Sequence, residues 1–349
     1  MRAIQDLLKE AQQQGASDIH ISVGRPPFFR IDGKLAPVGE KPIEVEEGAA
    51  MMEHLLAGDR QHIEELEKER QVDFSYALPD GPRFRVNIFY HIDHVAAALR
   101  LISTRIQTIE ELHLPPQILQ FAEFKQGFML VVGPAGHGKS TTLAALIDYI
   151  NENRREHIIT IEDPIEYLFT DKQSIIEQRE VWHDAPSFAD AIRVTLRQDP
   201  NVIMVGELRD LESMQTAITV AETGHLVMAT LHTNDAGQTI ERIIDSFPGE
   251  QQQQVRSQLA NALSGVVSQR LLPCATGGRI PAVEIMIATT AIRNVIREGT
   301  IHQISGIIQT SSDVGMQTMD SSLQSLVDSG AVRLEDARAY FSSVKRMFR

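Results

Sequence analysis

The sequence is short of cysteine, of basic residues, of aromatics and of long apolar runs. Its single cysteine, Cys274, in 349 residues excludes a disulfide framework and any all-cysteine zinc site. Lys plus Arg (33) fall below Asp plus Glu (47), a formal net charge of −14, and aromatic residues make up 5%. No global basic field draws such a chain onto nucleic acid, and a strand-binding channel would need basic and aromatic lining, so stable nucleic-acid binding is not expected. The longest apolar runs, such as Phe128 to Val132, hold five residues, far too few to span a bilayer. The opening MRAIQDLLKEAQQQ is too polar for a signal-peptide core. A cytoplasmic protein without a transmembrane segment is the expectation.

What is present is an ordinary globular composition, 42% apolar and 23% charged, long enough for two domains. No period of 20–50 residues shows, and Gln251 to Gln254 reads as a polar helix face. Ile4, Leu7, Leu8 and Ala11 recur at helical spacing up to Gly15, and Ile19, Ile21 and Val23 alternate as in a half-buried strand. Phe29 to Leu35 carries Asp32-Gly33, a two-residue hairpin signal. Residues 40–73 hold 11 acids against 4 bases and read as solvated helix faces. Arg83–Phe89 and His94–Arg100 read as two more strands. A small α+β domain over 1–100 and a linker over 101–114 follow, with Leu114-Pro-Pro-Gln marking the break.

Beyond it, short continuous apolar strands alternate with amphipathic helices: Phe128–Val132, Ser140–Glu152, Ile158–Ile161, Ser187–Arg197, Val202–Val205, Leu211–Thr223 and Leu226–Leu231. This pattern predicts a parallel sheet covered on both faces. The stretch from about Pro248 reads as helices.

Gly133-Pro134-Ala135-Gly136-His137-Gly138-Lys139-Ser140 fits G-x-x-x-x-G-K-[ST] and stands between an apolar strand and a helix. The glycines permit a tight loop whose N–H groups, with the helix N-terminus, surround phosphates. Lys139 reaches the β- and γ-phosphates, Ser140 offers a hydroxyl to Mg²⁺, and Thr141 completes the cradle. Hydrolysis needs carboxylates beside it. Glu162 and Asp163 follow one apolar strand and Glu207 another, with Gly206 where a Walker B aspartate is usual. Strand ends of this kind lie on the phosphate-loop side of an open sheet. His225 and His232 flank a strand of roughly 23 Å and odd spacing, so they cannot share a metal. His232, at the carboxyl end, is placed to sense the γ-phosphate.

GPAGHGKST, ITIEDPIEY, IMVGELRD and TGHLVMATLHT resemble, in order and spacing, the secretion ATPases of type II secretion and type IV pili. ASDIHI, RFRVNIF, AIRNVIREGTIHQI and GMQTMD narrow the resemblance to the pilus retraction group over essentially the whole chain. One cysteine and the early ASDIHI set it apart from the assembly ATPases, which carry a tetracysteine zinc site and an extra N-terminal domain. An accessory retraction paralogue is the other alternative. The resemblance implies a homohexamer with an N-terminal PAS-like domain, a RecA-like P-loop core over 115–349 and a C-terminal helical region from about 248. It implies ATP turnover that powers pilus depolymerisation, twitching motility and DNA uptake, acting on an inner-membrane platform protein from the cytoplasmic face.

Within that pattern Glu162 polarises the attacking water and Glu207 holds the Mg²⁺ shell, two assignments that are exchangeable at this stage. Arg83, Arg85 and Arg100 match arginines that reach the phosphates across a subunit interface, with Arg193 and Arg197 as weaker candidates. Ala135 and His137 stand where the family usually has Thr and Ser. In AIRNVIREG, Ala291, Ile292, Val295 and Ile296 form an apolar face opposite Arg293, Arg297 and Glu298. The resemblance implies that this segment couples ATP turnover to retraction.

Overall fold

The computed structural model describes residues 3–31, 33–78, 82–102 and 105–341. It divides into two units, Met1–Arg105 with Glu166–Leu168 and Ile106–Ile165 with Phe169–Arg349.

In the first unit, helix α1 (Ile4–Gln13) buries Ile4, Leu7, Leu8 and Ala11, the residues its period selects. Strands β1 (Asp18–Ser22), β2 (Phe28–Ile31) and β3 (Lys34–Pro37) follow, with Ile31 opposite Lys34 across the turn. Asp32 of the hairpin signal lies outside the described residues, as do Ser103 and Thr104 of the expected linker. Helices α2 (Val45–Leu56) and α3 (Arg60–Glu69) carry the acidic stretch. That stretch stops being helical at its end: β4 (Gln71–Ala77) buries Val72 and Phe74 by period two. With β5 (Arg83–His91) and β6 (His94–Ile102) it completes an antiparallel sheet of order β3-β2-β1-β6-β5-β4. One face packs on the helices through Phe84, Val86 and Ile88, and the other displays alternate polar residues.

The second unit opens with a 3₁₀ turn at Pro116–Leu119 and the short α4 (Gln120–Glu123). Then come β7 (Gly127–Val132), α5 (Lys139–Asn153), β8 (His157–Glu162), β9 (Ile175–Glu180), α6 (Phe188–Thr195), β10 (Val202–Val205), α7 (Leu211–Glu222) and β11 (Leu226–Leu231). Both faces of the central strands are covered. Phe128, Leu130 and Val132 join one core cluster while Met129 and Val131 join another, and β8, β10 and β11 alternate in the same way. A strand buried on both sides has to read as an unbroken apolar run. β9, an edge strand beyond β8, carries IIEQRE with two charged residues already exposed or half-exposed, so it shows no such run. At its end the chain's only tryptophan, Trp182, sits at φ +73° and 75% exposed.

Helix α8 (Ala236–Asp245) follows β11, and from 248 onward helix α9 (Gly249–Ala262) is followed by two long strands, β12 (Leu263–Pro273) and β13 (Arg279–Ile287). The expectation of helices alone is corrected here. These strands extend the sheet to order β13-β12-β7-β11-β10-β8-β9, parallel except for β13. Helices α10 (Thr290–Glu298), α11 (Ile304–Thr310), α12 (Met319–Asp328) and α13 (Leu334–Ala337) close the described chain. Among the described residues no helix is long and apolar enough to cross a membrane.

Helix α10 is the AIRNVIREG segment. Ile292, Val295 and Ile296 are buried, but Ala291 is exposed. Arg293 is not a solvated residue of the opposite face. Its guanidinium is half-buried and donates to the Ala288, Ala260 and Asn261 carbonyls, satisfying the C-terminal end of α9. Arg293 therefore serves the fold, while Arg297 is exposed and bonded to the Asn294 and Asn261 side chains.

On β13, Glu284 accepts the Ala236 N–H at the start of α8. Burial pushes its carboxyl up to about 7, with Asp235 and Asp320 adding to the effect against the Ala236 bond and Arg270. The raised folded pKa makes the protonated form native. Its stabilising contribution is full below 4.5 and disappears as pH rises through about 7. Glu284→Gln keeps the acceptor and cannot ionise. Relative to wild type it should gain stability between pH ~5 and ~8, by up to about 3 kcal/mol. Chemical denaturation at both pH values checks this, and parallel curves for the two proteins would refute it.

Candidate active site

The loop at 133–138 joins β7 to α5 in the middle of the sheet. Gly133 is forced by proximity: a β-carbon there would lie 2.4 Å from the Gln269 carbonyl oxygen on β12. Gly138 is forced by conformation, since it caps α5 at φ +80°. Lys139 opens α5 and is only 8% exposed. Its ammonium donates to the Gly133 and Pro134 carbonyls at 2.9 and 3.0 Å and lies 3.3 Å from His232 Nδ1. Ser140 and Thr141 follow in the first turn, where backbone N–H groups have no helical acceptor and suit phosphate oxygens.

The carboxyl ends of β8, β10 and β11 carry the two acids and His232. Glu162 ends β8, is 5% exposed, and accepts the Thr160 hydroxyl at 2.8 Å and the Gln178 amide at 3.3 Å on Oε1. Glu207 lies just past β10 and His232 just past β11. His232 Nε2 is 3.0 Å from Glu207 Oε1, while Arg209 Nε donates to Glu207 Oε2 at 2.9 Å and reaches towards Asp163 at 3.6 Å. A lysine ammonium only donates, so His232 Nδ1 accepts and Nε2–H donates to Glu207. Lys139, His232 and Glu207 thus form one continuous chain. Gly206 is wedged between neighbours, its N–H on the Ile161 carbonyl and its carbonyl taking the Thr230 hydroxyl. His225, at the opposite end of β11, bonds the Val220 carbonyl.

Residues 1–338 match the family described as type II/IV secretion system protein. The type IV pilus retraction ATPase PilT of Pseudomonas aeruginosa is 44% identical over 335 residues, 96% of this chain and 97% of the relative. A twitching motility protein of Neisseria gonorrhoeae is 46% identical over 89% of this chain and 83% of its own length. A crystal structure of the pilus retraction motor PilT with bound ADP superposes with TM-score 0.92 at 46% identity, covering 99% of both chains. The chain belongs to the type II/IV secretion system protein family. Its second unit, with the largely parallel sheet and the phosphate loop, is a RecA-like core.

Beside the loop of this family member lies a cavity of about 290 Å³ that sequence reasoning missed. Gln107, Glu111, Leu112 and His113 border it together with Thr141 and Leu271. The mixture of apolar wall and a few polar groups suits a nucleoside. No motif marks these residues, and only the fold gathers them next to Thr141.

Arg83, Arg85 and Arg100 lie on the first unit, on the sheet face that carries no helices. Period two puts Arg83 and Arg85 on one side, and Arg100 pairs directly with Arg85 across β5–β6. Arg100 donates to Asp18 at 2.9 Å, and Arg85 lies 3.7 Å from Asp73. Burial alone would raise the Asp18 carboxyl, but the Ser17 hydroxyl and Arg100 hold it below its ordinary value. Arg193 is tied to Asp190 and Glu212, bridging α6 to α7, which makes it a surface strut. Arg197 is exposed.

The chain from Lys139 through His232 to Glu207 predicts a separable defect. His232→Ala should keep nucleotide binding and most of its thermal stability, because the imidazole is 45% exposed and two loop carbonyls still accept from Lys139. Its turnover should drop roughly 10- to 100-fold, the scale of one polar group at a reaction centre. Single-turnover assays with parallel ADP titrations distinguish this from a binding loss. An unaltered rate would remove His232 from the machinery.

Proposed function

We propose that this ATPase powers type IV pilus retraction, working as a homohexamer at the cytoplasmic face of the inner membrane against a pilus platform protein. The observation that carries the reading is the continuous Lys139–His232–Glu207 chain at a phosphate loop, in a protein similar over its whole length to retraction ATPases.

The loop N–H groups and the α5 N-terminus bind the phosphates, with Lys139 exchanging its loop carbonyls for β- and γ-oxygens. The cavity at Gln107, Glu111 and Leu112 takes the nucleoside. Ser140 hydroxyl and Glu207 carboxylate are hard oxygen donors and fit Mg²⁺, and among the described residues no group of three His, Cys, Asp or Glu competes as a self-sufficient metal cage. Mg²⁺, when bound with ATP, neutralises phosphate charge. Glu162 takes a proton from the attacking water as the terminal phosphoryl group is transferred, leaving ADP and phosphate. The enclosed position of Glu162 at a strand end supports that role, and the contact of Glu207 with His232 supports its place on the phosphate side. His232 then feels the loss of the γ-phosphate through Lys139. Arg83, Arg85 and Arg100 of an adjoining copy supply further positive charge to the phosphates.

Lys139→Ala should abolish turnover in the purified protein. Glu162→Gln and Glu207→Gln should bind ATP and hydrolyse it at least ~100-fold more slowly. A Glu162→Gln protein with a normal rate would hand the water-polarising role to Glu207. In cells, a strain lacking the gene should be piliated and unable to twitch. The wild-type gene should restore twitching and the Lys139→Ala gene should not. A deletion strain that loses its pili instead would make this an assembly ATPase.

A further inference from the structure

Strand β12 outruns its parallel neighbour. The last pair between β12 and β7 is Ser268 with Val132, after which β7 turns into the phosphate loop. On its other side β12 stays paired with β13 as far as Pro273 opposite Arg279. Backbone groups of β12 past Ser268 that point to the β7 side therefore need partners other than that strand. The phosphate loop supplies them. Leu271 N–H donates to His137 Nδ1 at 2.9 Å, and the Gln269 side chain donates from Nε2 to the His137 carbonyl at 2.8 Å. Gln269 is buried, and its Oε1 accepts the Thr142 hydroxyl at 2.8 Å, so the amide ties the loop to the first turns of α5. Arg279 of β13 adds a longer contact, 3.4 Å, to the Gly136 carbonyl.

His137 stands between Gly136 and Gly138, both with positive φ. Such a stretch has wide backbone freedom in isolation. A loop that binds phosphate through several N–H groups at once gains affinity when that freedom is already removed. We infer that His137 is a positioning residue for phosphate binding: its imidazole, neutral and accepting at Nδ1, fastens the phosphate loop to strand β12. The inference rests on the phosphate-loop reading above and assigns the side chain a role beyond the backbone geometry of the motif.

The surroundings favour the neutral ring. Burial lowers the His137 pKa, and the cations Arg270 on β12, Lys139 on α5 and Arg279 on β13 lower it further. Glu111 and His113 border the cavity that opens beyond Gly138 and Leu271. A protonated imidazole carries N–H at both nitrogens, so it loses the Leu271 bond and repels all three cations. The depressed pKa puts this release below 6.5, with the fastening intact above that value and lost as pH falls through the lowered one.

The test compares His137→Ala, His137→Asn and wild type by ADP titration and by the KM and kcat of ATP hydrolysis. At pH ~8, His137→Ala should bind ADP about tenfold more weakly and raise KM for ATP to match, with kcat little altered, the scale of one hydrogen bond. His137→Asn, whose amide oxygen can accept the Leu271 N–H, should recover most of that affinity. From pH ~8 to ~5 the wild type should lose affinity more steeply than His137→Asn, which lacks the imidazole at this position. Rescue by Asn also separates positioning from misfolding. Wild-type ADP affinity in the Ala variant, or wild-type and Asn proteins that track each other across the pH range, would overturn the inference. So would tighter binding by the wild type on acidification. Lys139→Ala is the control for the underlying reading. If it loses turnover while both His137 variants behave as wild type, the loop assignment stands and the fastening role falls.

Discussion

A buried ammonium group organises the catalytic unit. Lys139 is charged and almost wholly enclosed, a state that costs several kcal/mol unless acceptors surround it. Two carbonyls of its own loop and one imidazole meet that need. Two strand ends position these acceptors, and a third orients one of them. β7 delivers the loop carbonyls, β11 delivers His232, and β10 delivers the Glu207 carboxylate that fixes the histidine tautomer. The parallel arrangement of those strands is what brings their carboxyl ends together. An antiparallel sheet would scatter them to opposite edges.

That charge is also where chemistry and shape meet. The route from Lys139 to His232, Glu207, Arg209 and Asp163 crosses the ends of three adjacent strands and finishes at the residue following Glu162. The lysine is thereby connected to Glu207 and to Asp163 through hydrogen-bonded and ionic contacts. The opposite side of the loop is held differently, by neutral bonds to β12. One flank of the cradle is polarisable and the other is fixed.

Much of this was legible in the residues. The central strands declare themselves because burial on both faces removes every polar residue, as in Phe128–Val132 and Val202–Val205, and the loop declares itself because few residues tolerate its backbone. Four strands were not legible, for distinct physical reasons. β4 follows an acidic helix after one residue, Arg70, with no turn signal. β9 is an edge strand whose half-exposed polar residues hide its period. β12 and β13 begin where α9 ends: Leu263 is at once the C-cap of that helix and the first residue of β12, so an apolar helical pattern runs into an apolar strand without punctuation. The missed site residues share one cause. Gln269, Leu271, Gln107 and Glu111 act by adjacency in space, 100 residues or more from the loop for the first pair and in a plain connector for the second. Arg293 misled for a related reason: helical spacing put it on the polar side, and only the neighbouring helix end shows what it binds.

Trp182 gives the molecule an unplanned optical property. It is the chain's sole indole, it stands in solvent at the end of β9, and the preceding Val181 donates its N–H to the Glu162 carbonyl at 2.8 Å. Excited at the red edge of its absorption, where tyrosine is silent, the native protein thus emits from one known point, beside the residue whose N–H holds the Glu162 backbone. Water quenches and reddens an indole in that setting, and anything that covers it shifts the spectrum to the blue. The unmodified enzyme carries its own dye, attached at the β9 edge of the sheet.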